Sequence, residues 1–357
     1  MKIVSKRKNI SLFLLLLTVI TTLNGVSMGF ALYFRKTTSL LGELQMMIPA
    51  TVTFLVFWIS PHKSSRFPKY VCKAVFAMDI LLIAGTVLEC LPFPIFLIKS
   101  VLSILFYLGM LIFYLALFLE STEVKNAYGL CCKSNVKTIF FYLFLFLLLQ
   151  AGVCLIQTVF DYFTGNRQAF RIFMEIYSHL PSTLPIMAIN FFFAFLPFFG
   201  EEYGWRGFIQ PQMQKQFGMK KGIILTGVIW GIWHLPMILF RYHSSTPIFD
   251  IVDQILFCVL IGIFLGYVYL KTQNIWICTA IHFLNNQVIY KLFSSTSATS
   301  SSNSMTEEVV STIALFLVYG LFIHSKVFRE KETIDDFLLP RNLPEFSQNE
   351  LEQENSK

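Results

Sequence analysis

Phe191-Phe192-Phe193-Ala194-Phe195-Leu196-Pro197-Phe198-Phe199-Gly200-Glu201-Glu202-Tyr203-Gly204-Trp205-Arg206-Gly207 decides how the chain is read. Residues 191–199 are apolar, and directly behind them stand two adjacent carboxylates and an arginine. A charge at the centre of a bilayer costs roughly 2.5–3.5 kcal/mol on insertion scales, a cost met by pairing, by a water-filled cavity or by function. On a helix, Glu202 and Arg206 stand four residues apart and can pair on one face. Glu201 points about 100° away from Glu202. The stretch therefore holds one ion pair and one carboxylate left over.

The rest of the chain says that this depth is real. Of its 357 residues 55% are hydrophobic, only 14% are charged, and 39 are Phe. Apolar runs of about 18 residues or more recur, the length a helix needs to cross a bilayer. The expected fold class is all-α: a polytopic transmembrane helix bundle with the catalytic cavity inside it. About ten spans are expected, at 10–34, 44–60, 71–91, 94–119, 138–160, 184–210, 222–240, 251–270, 275–292 and 309–324. The first apolar run exceeds the ~7–15 residues of a signal-peptide core and reads as an uncleaved span. Residues 294–304 are rich in Ser and Thr and read as a flexible outer loop.

The net charge of +7 comes from basic residues scattered between apolar runs, and no nucleic-acid partner is expected. Lys125, Lys133 and Lys137, then Lys215, Lys220 and Lys221, fall on one side; Arg35, Lys36, Arg167 and Arg171 fall on the other. The balance predicts an integral protein of the cell membrane with both termini cytoplasmic. The seven Cys contain no C-x-x-C pair and read as reduced packing residues.

Two histidines answer the spare carboxylate. His234 closes Trp230-Gly231-Ile232-Trp233-His234, and His282 opens His282-Phe283-Leu284-Asn285-Asn286. Glu-Glu-x-x-x-Arg, aromatic-x-x-x-His and His-x-x-x-Asn, in that order on separate apolar helices, resemble the CPBP family of intramembrane glutamic proteases. That family includes the CAAX prenyl protease Rce1 and the bacterial Abi proteins. The resemblance spans residues 185–290, and departs from the family pattern at Trp230, where Phe is usual. It divides the chain into N-terminal transmembrane helices (1–183), a CPBP-like protease core (184–292), a Ser/Thr-rich loop with the last span (293–328), and a polar tail (329–357) expected to be disordered. Gly pairs four apart, Gly200/Gly204, Gly227/Gly231 and Gly262/Gly266, are expected to pack spans six, seven and eight closely enough to bring Glu201 near His234.

Peptide hydrolysis needs an activated water and a site for the oxyanion. A carboxylate beside a histidine can take a proton from water and return it to the leaving amine. His282 and Asn286 share a helix face and can both donate to one oxygen. The resemblance implies that Glu201 is the base and His234 its partner. It makes His282 and Asn286 the oxyanion donors, with Glu202 and Arg206 as a supporting pair. The implied substrate is a membrane-associated peptide or protein, such as a CAAX-type protein or a peptide pheromone, met in the lipid bilayer. No cofactor is expected. Other readings stand beside this one. Glu202 and Arg206 serve equally well as a packing pair, and Asn285 is an alternative donor. Zinc accepts two His and a carboxylate, although no H-E-x-x-H helix is present. A non-catalytic immunity or transport protein is the third reading.

Overall fold

The computed structural model describes residues 2–60, 67–91, 95–242, 246–296, 305–329 and 332–341. Among these, every regular element is helical. The chain runs α1 (Lys2–Tyr33), α2 (Ser39–Ile59), α3 (Lys69–Cys90), α4 (Ile95–Leu119), the short α5 (Thr122–Ala127), α6 (Val136–Phe163) and α7 (Ala169–Ala194). It continues through α8 (Leu196–Glu202), α9 (Gln210–Phe217), α10 (Met219–Trp233), α11 (Pro247–Thr272), α12 (Ile275–Thr296) and α13 (Met305–Val318). The all-α polytopic bundle is as the sequence predicts.

Fewer than the expected ten helices pass as spans by length and composition among the described residues. Among the described residues eight helices are long and apolar enough to cross a membrane, and a ninth crossing follows if one bent pair counts as a span. α12 is not among the eight; its middle carries His282, Asn285, Asn286 and Gln287. The expected continuous span at 184–210 is instead that bent pair. α7 begins at Ala169, and the chain turns by 74° between Ala194 and Leu196. Pro197 sits in the first turn of α8. It has no N–H to bond back into α7, so the hydrogen-bond ladder is interrupted there.

The glycine pairs pack as small residues should, but not all against the expected neighbours. A Cβ at Gly200 or Gly204 would lie 2.6 Å from the Met46 carbonyl oxygen or 2.3 Å from Pro49 Cβ. That pair therefore seats α8 against the middle of α2, not against α10 or α11. Gly227 and Gly231 do close α10 onto α11: added Cβ atoms would stand 2.6 Å from Val259 Cα and 2.4 Å from Ile255 Cα. Gly262 faces the Arg206 guanidinium and Gly227, where an added Cβ would stand 3.9 Å from Nη2 and 4.0 Å from Cα. Thus α2 is a wall of the core that the three-span reading leaves out.

Aromatic stacking fixes α12 against α8. The Phe199 ring lies between Tyr203 and Trp276, 5.1 Å from each centroid, and Trp276 Nε1 donates to the Leu130 carbonyl at 2.9 Å.

The polar tail also departs from expectation. Glu332–Phe337 forms a 3-10 turn, and Ile334, Phe337 and Leu339 are buried. Phe337 meets Tyr269 of α11, Asp335 pairs with Lys215, and Arg341 N–H donates to the Ala127 carbonyl at 2.8 Å. Three apolar side chains within a charged stretch are enough to anchor it, which the composition of the whole tail conceals. Residues 342–357 and the Ser/Thr-rich stretch at 297–304 lie outside the described residues.

Candidate active site

Both carboxylates and His234 sit where an α-helix gives way to a wider turn. α8 ends at Glu202, and Tyr203–Ile209 follow as a π turn, with Gln210 N–H reaching back to the Trp205 carbonyl. Pro211 has no N–H to continue the ladder from α9. α10 ends at Trp233, with His234 as its C-cap; Pro236 follows, and Met237–Arg241 form a second π turn closed by Tyr242 N–H on the Met237 carbonyl at 2.9 Å. π turns inside helices recur at functional sites because they re-aim side chains that a regular helix holds in register.

Glu201 and Glu202 are 2% and 0% exposed, and Arg206 is 0% exposed. Glu202 is the hub of the charges. Its Oε2 lies 3.3 Å from Arg206 Nε, and its Oε1 accepts from His282 Nδ1 at 2.9 Å. Glu201 points elsewhere, as the helical offset requires. Its Oε2 accepts a 2.7 Å hydrogen bond from the indole N–H of Trp230. The Arg206 guanidinium, fully buried, lies over the Trp230 ring, 4.4 Å from its centroid, a cation–π contact.

The histidines are oriented by their Nδ1 atoms. His234 Nδ1 is 2.9 Å from the Trp230 carbonyl. A carbonyl only accepts, so Nδ1 carries the proton and Nε2 of the neutral ring has the lone pair. The Cys258 sulfur of α11 lies 4.0 Å from the same nitrogen. His282 Nδ1 faces a carboxylate, so it too carries a proton, and its Nε2 is the free edge. Phe198 and Trp230 box the His282 ring edge-on at 5.3 and 5.6 Å. At the next turn of α12, Asn285 is buried and its Nδ2 donates to Asn286 Oδ1 at 3.2 Å, while Asn286 is exposed. Holding the Asn286 oxygen leaves its NH2 facing away from Asn285.

All six residues expected to carry the site fall in one region, with two changes of partner. Glu202 is bonded to His282 as well as to Arg206, so the supporting pair is a triad. Glu201 and His234 are joined through Trp230, which binds one with its indole and the other with its carbonyl. Sequence reading treats Trp230 only as an aromatic wall; its indole N–H is the signal that Phe lacks. Gln45 of α2 is a further contributor, its Nε2 donating to the Trp233 carbonyl at 2.9 Å. Asp79 stands apart from the site in α3, accepting from Thr51 Oγ1 at 2.6 Å. Among the described residues no group of three or more His, Cys, Asp or Glu side chains is arranged to hold a metal ion.

Residues 182–288 match the family model described as Type II CAAX prenyl endopeptidase Rce1-like. A search of curated proteins finds a CAAX prenyl protease 2 of Methanococcus maripaludis. It is 28% identical over 205 residues, covering 55% of this chain and 69% of that protein. The matched region contains α8 to α11 and the part of α12 that carries His282 and Asn286.

Proposed function

We propose, for this chain as a member of the CPBP family and so a membrane protease, that it is a glutamate-based, metal-independent endopeptidase acting inside the bilayer. The observation that carries this reading is the separation of Glu201 from Glu202. One carboxylate is taken up by Arg206 and His282, and among the described residues the other accepts its hydrogen bond from a neutral indole. In this reading a water lies between Glu201 and His234 Nε2. They take its proton as its oxygen attacks the scissile carbonyl carbon. Cationic His282, through Nε2–H, and Asn286, through its NH2, hold the oxygen that becomes negative. The C–N bond then breaks and the proton passes to the leaving amine, giving a free acid and a free amine. Glu202 balances Arg206 and the cationic His282.

The substrate we assign is a membrane-associated peptide or protein, and the named activity of the Methanococcus maripaludis relative makes a prenylated C-terminal peptide the first to try. With α12 taken as the tenth crossing, both termini lie in the cytoplasm, and the substrate enters laterally or from that side. A cysteine at position 201 that reagents reach only from outside would sink that assignment.

The test compares purified wild type and Glu201→Gln on a fluorogenic peptide ending in a farnesylated CAAX sequence, with and without a zinc chelator. Cleavage by wild type that survives the chelator and is lost in the variant is the expected result. Loss of wild-type cleavage with the chelator, restored by added zinc, makes the same residues metal ligands instead. Undiminished cleavage by Glu201→Gln removes Glu201 from the chemistry.

A further inference from the structure

The geometry points to Trp230 as the positioning residue that sets Glu201 and His234 toward one another. The inference rests on the hydrolytic reading above and adds a part to it. Trp230 is almost wholly buried, and three of its features are engaged at once. Its indole N–H donates to Glu201 Oε2 at 2.7 Å. Its backbone carbonyl accepts from His234 Nδ1 at 2.9 Å. Its ring face meets the Arg206 guanidinium at 4.4 Å.

These have different consequences. The carbonyl is common to any residue at position 230, so the His234 tautomer does not depend on the side chain. The ring face could equally be Phe, whose π system also receives a cation. Only the indole N–H is particular to Trp, and it is the hydrogen-bond donor that Glu201 Oε2 has among the described residues. A carboxylate held by a single directional donor keeps its second oxygen aimed in a fixed direction. In a Phe variant the same carboxylate rotates about its last side-chain bond, and the proton acceptor is lost from its place for much of the time. A short charge-assisted bond of this kind restrains more than a neutral one.

Nearby Trp205 supplies the control. Its ring lies 6.5 Å from that of Trp230, it is fully buried, and its indole nitrogen has no hydrogen-bond partner among the described residues. Trp205→Phe therefore opens a similar gap in the same aromatic cluster without touching the bond to Glu201.

Two readouts are made on full-length wild type, Trp230→Phe, Trp205→Phe and Glu201→Gln in lipid nanodiscs. Infrared difference spectra across a pH titration locate the C=O stretch of protonated Glu201, assigned by its loss in Glu201→Gln; this needs no substrate. Kinetics on the farnesylated peptide give kcat and KM. In Trp230→Phe the band should move to higher frequency as its acceptor oxygen is released. Its kcat should fall roughly 10- to 100-fold with KM within about twofold, the range of one hydrogen bond to a charged group. Trp205→Phe should match wild type in both. An unmoved band in Trp230→Phe, or an equal fall of kcat in Trp205→Phe, overturns the inference and leaves the hydrolytic reading intact if Glu201→Gln is dead. A displaced band with Glu201→Gln still cleaving overturns the hydrolytic reading and with it any catalytic meaning of the bond.

Discussion

Glu201 and Glu202 are neighbours in the chain, equally buried, and held in opposite ways. Glu202 lies between a guanidinium and an imidazole, Oε1 bonded to His282 and Oε2 3.3 Å from Arg206 Nε. Glu201 accepts from an uncharged indole. The difference follows from about 100° of helix rotation, which turns adjacent side chains toward different walls of the bundle. Glu202 faces the π turn and α12; Glu201 faces α10. A buried ion pair contributes little net stability against an apolar substitute, but removing one partner leaves the other charge stranded. Glu202 is therefore the carboxylate whose loss the fold should feel, and in the proposed mechanism Glu201 is the one whose loss the chemistry should feel.

Four substitutions press on that contrast. Glu201→Gln should give the largest effect on turnover, a loss of about 10²–10⁴-fold in kcat, the span of general acid–base contributions. Its melting temperature in detergent should stay near that of wild type; a large drop would erase the division between the two residues. Glu202→Gln should cost roughly 3–5 kcal/mol of stability because Arg206 and His282 lose their counter-charge. A denaturation midpoint equal to that of wild type would show that the triad is dispensable to the fold. Arg206→Lys keeps the charge but loses the planar face over Trp230 and the Nε that lies 3.3 Å from Glu202 Oε2. A stability loss of about 1–2 kcal/mol is expected from the cation–π contact and the weakened pair, read by the same unfolding assay. Asp79→Asn is the smallest step. Asn retains an oxygen to accept from Thr51, so kcat on the farnesylated peptide should remain within about twofold, a negligible change in barrier. A collapse of activity there would add a third buried carboxylate to the machinery.

The motifs were legible because each needs only local spacing. Glu202 to Arg206 and His282 to Asn286 are one helical turn, and apolar flanks announce the depth. What escaped reading depends on neighbours distant in sequence. That α8 rests on Met46 and Pro49 of α2 follows from a tertiary contact that Gly200 and Gly204 permit without naming their partner. The bend at Phe195 had a visible cause in Pro197, yet the apolar pattern runs straight through it, and hydropathy alone joins the two pieces. Trp230 was visible as an aromatic residue; that its N–H meets Glu201 required the crossing of α8 and α10. Asn285 and Asn286 divide their tasks by burial, and the helix spacing from His282 that favours Asn286 also leaves room for the inward Asn285 to orient it.

One joint in the molecule has a bearing on how the protein is made. Residues 332–341 bridge the turn after α5 to α11 through Arg341, Leu339 and Phe337, with Asp335 holding the end of α9. A ribosome delivers this segment after all the membrane-length helices among the described residues. The elements it joins, α5, α9 and α11, wait for it in the meantime with that face open. A nascent chain arrested before residue 332 thus carries all the candidate active-site residues while this joint is still unmade.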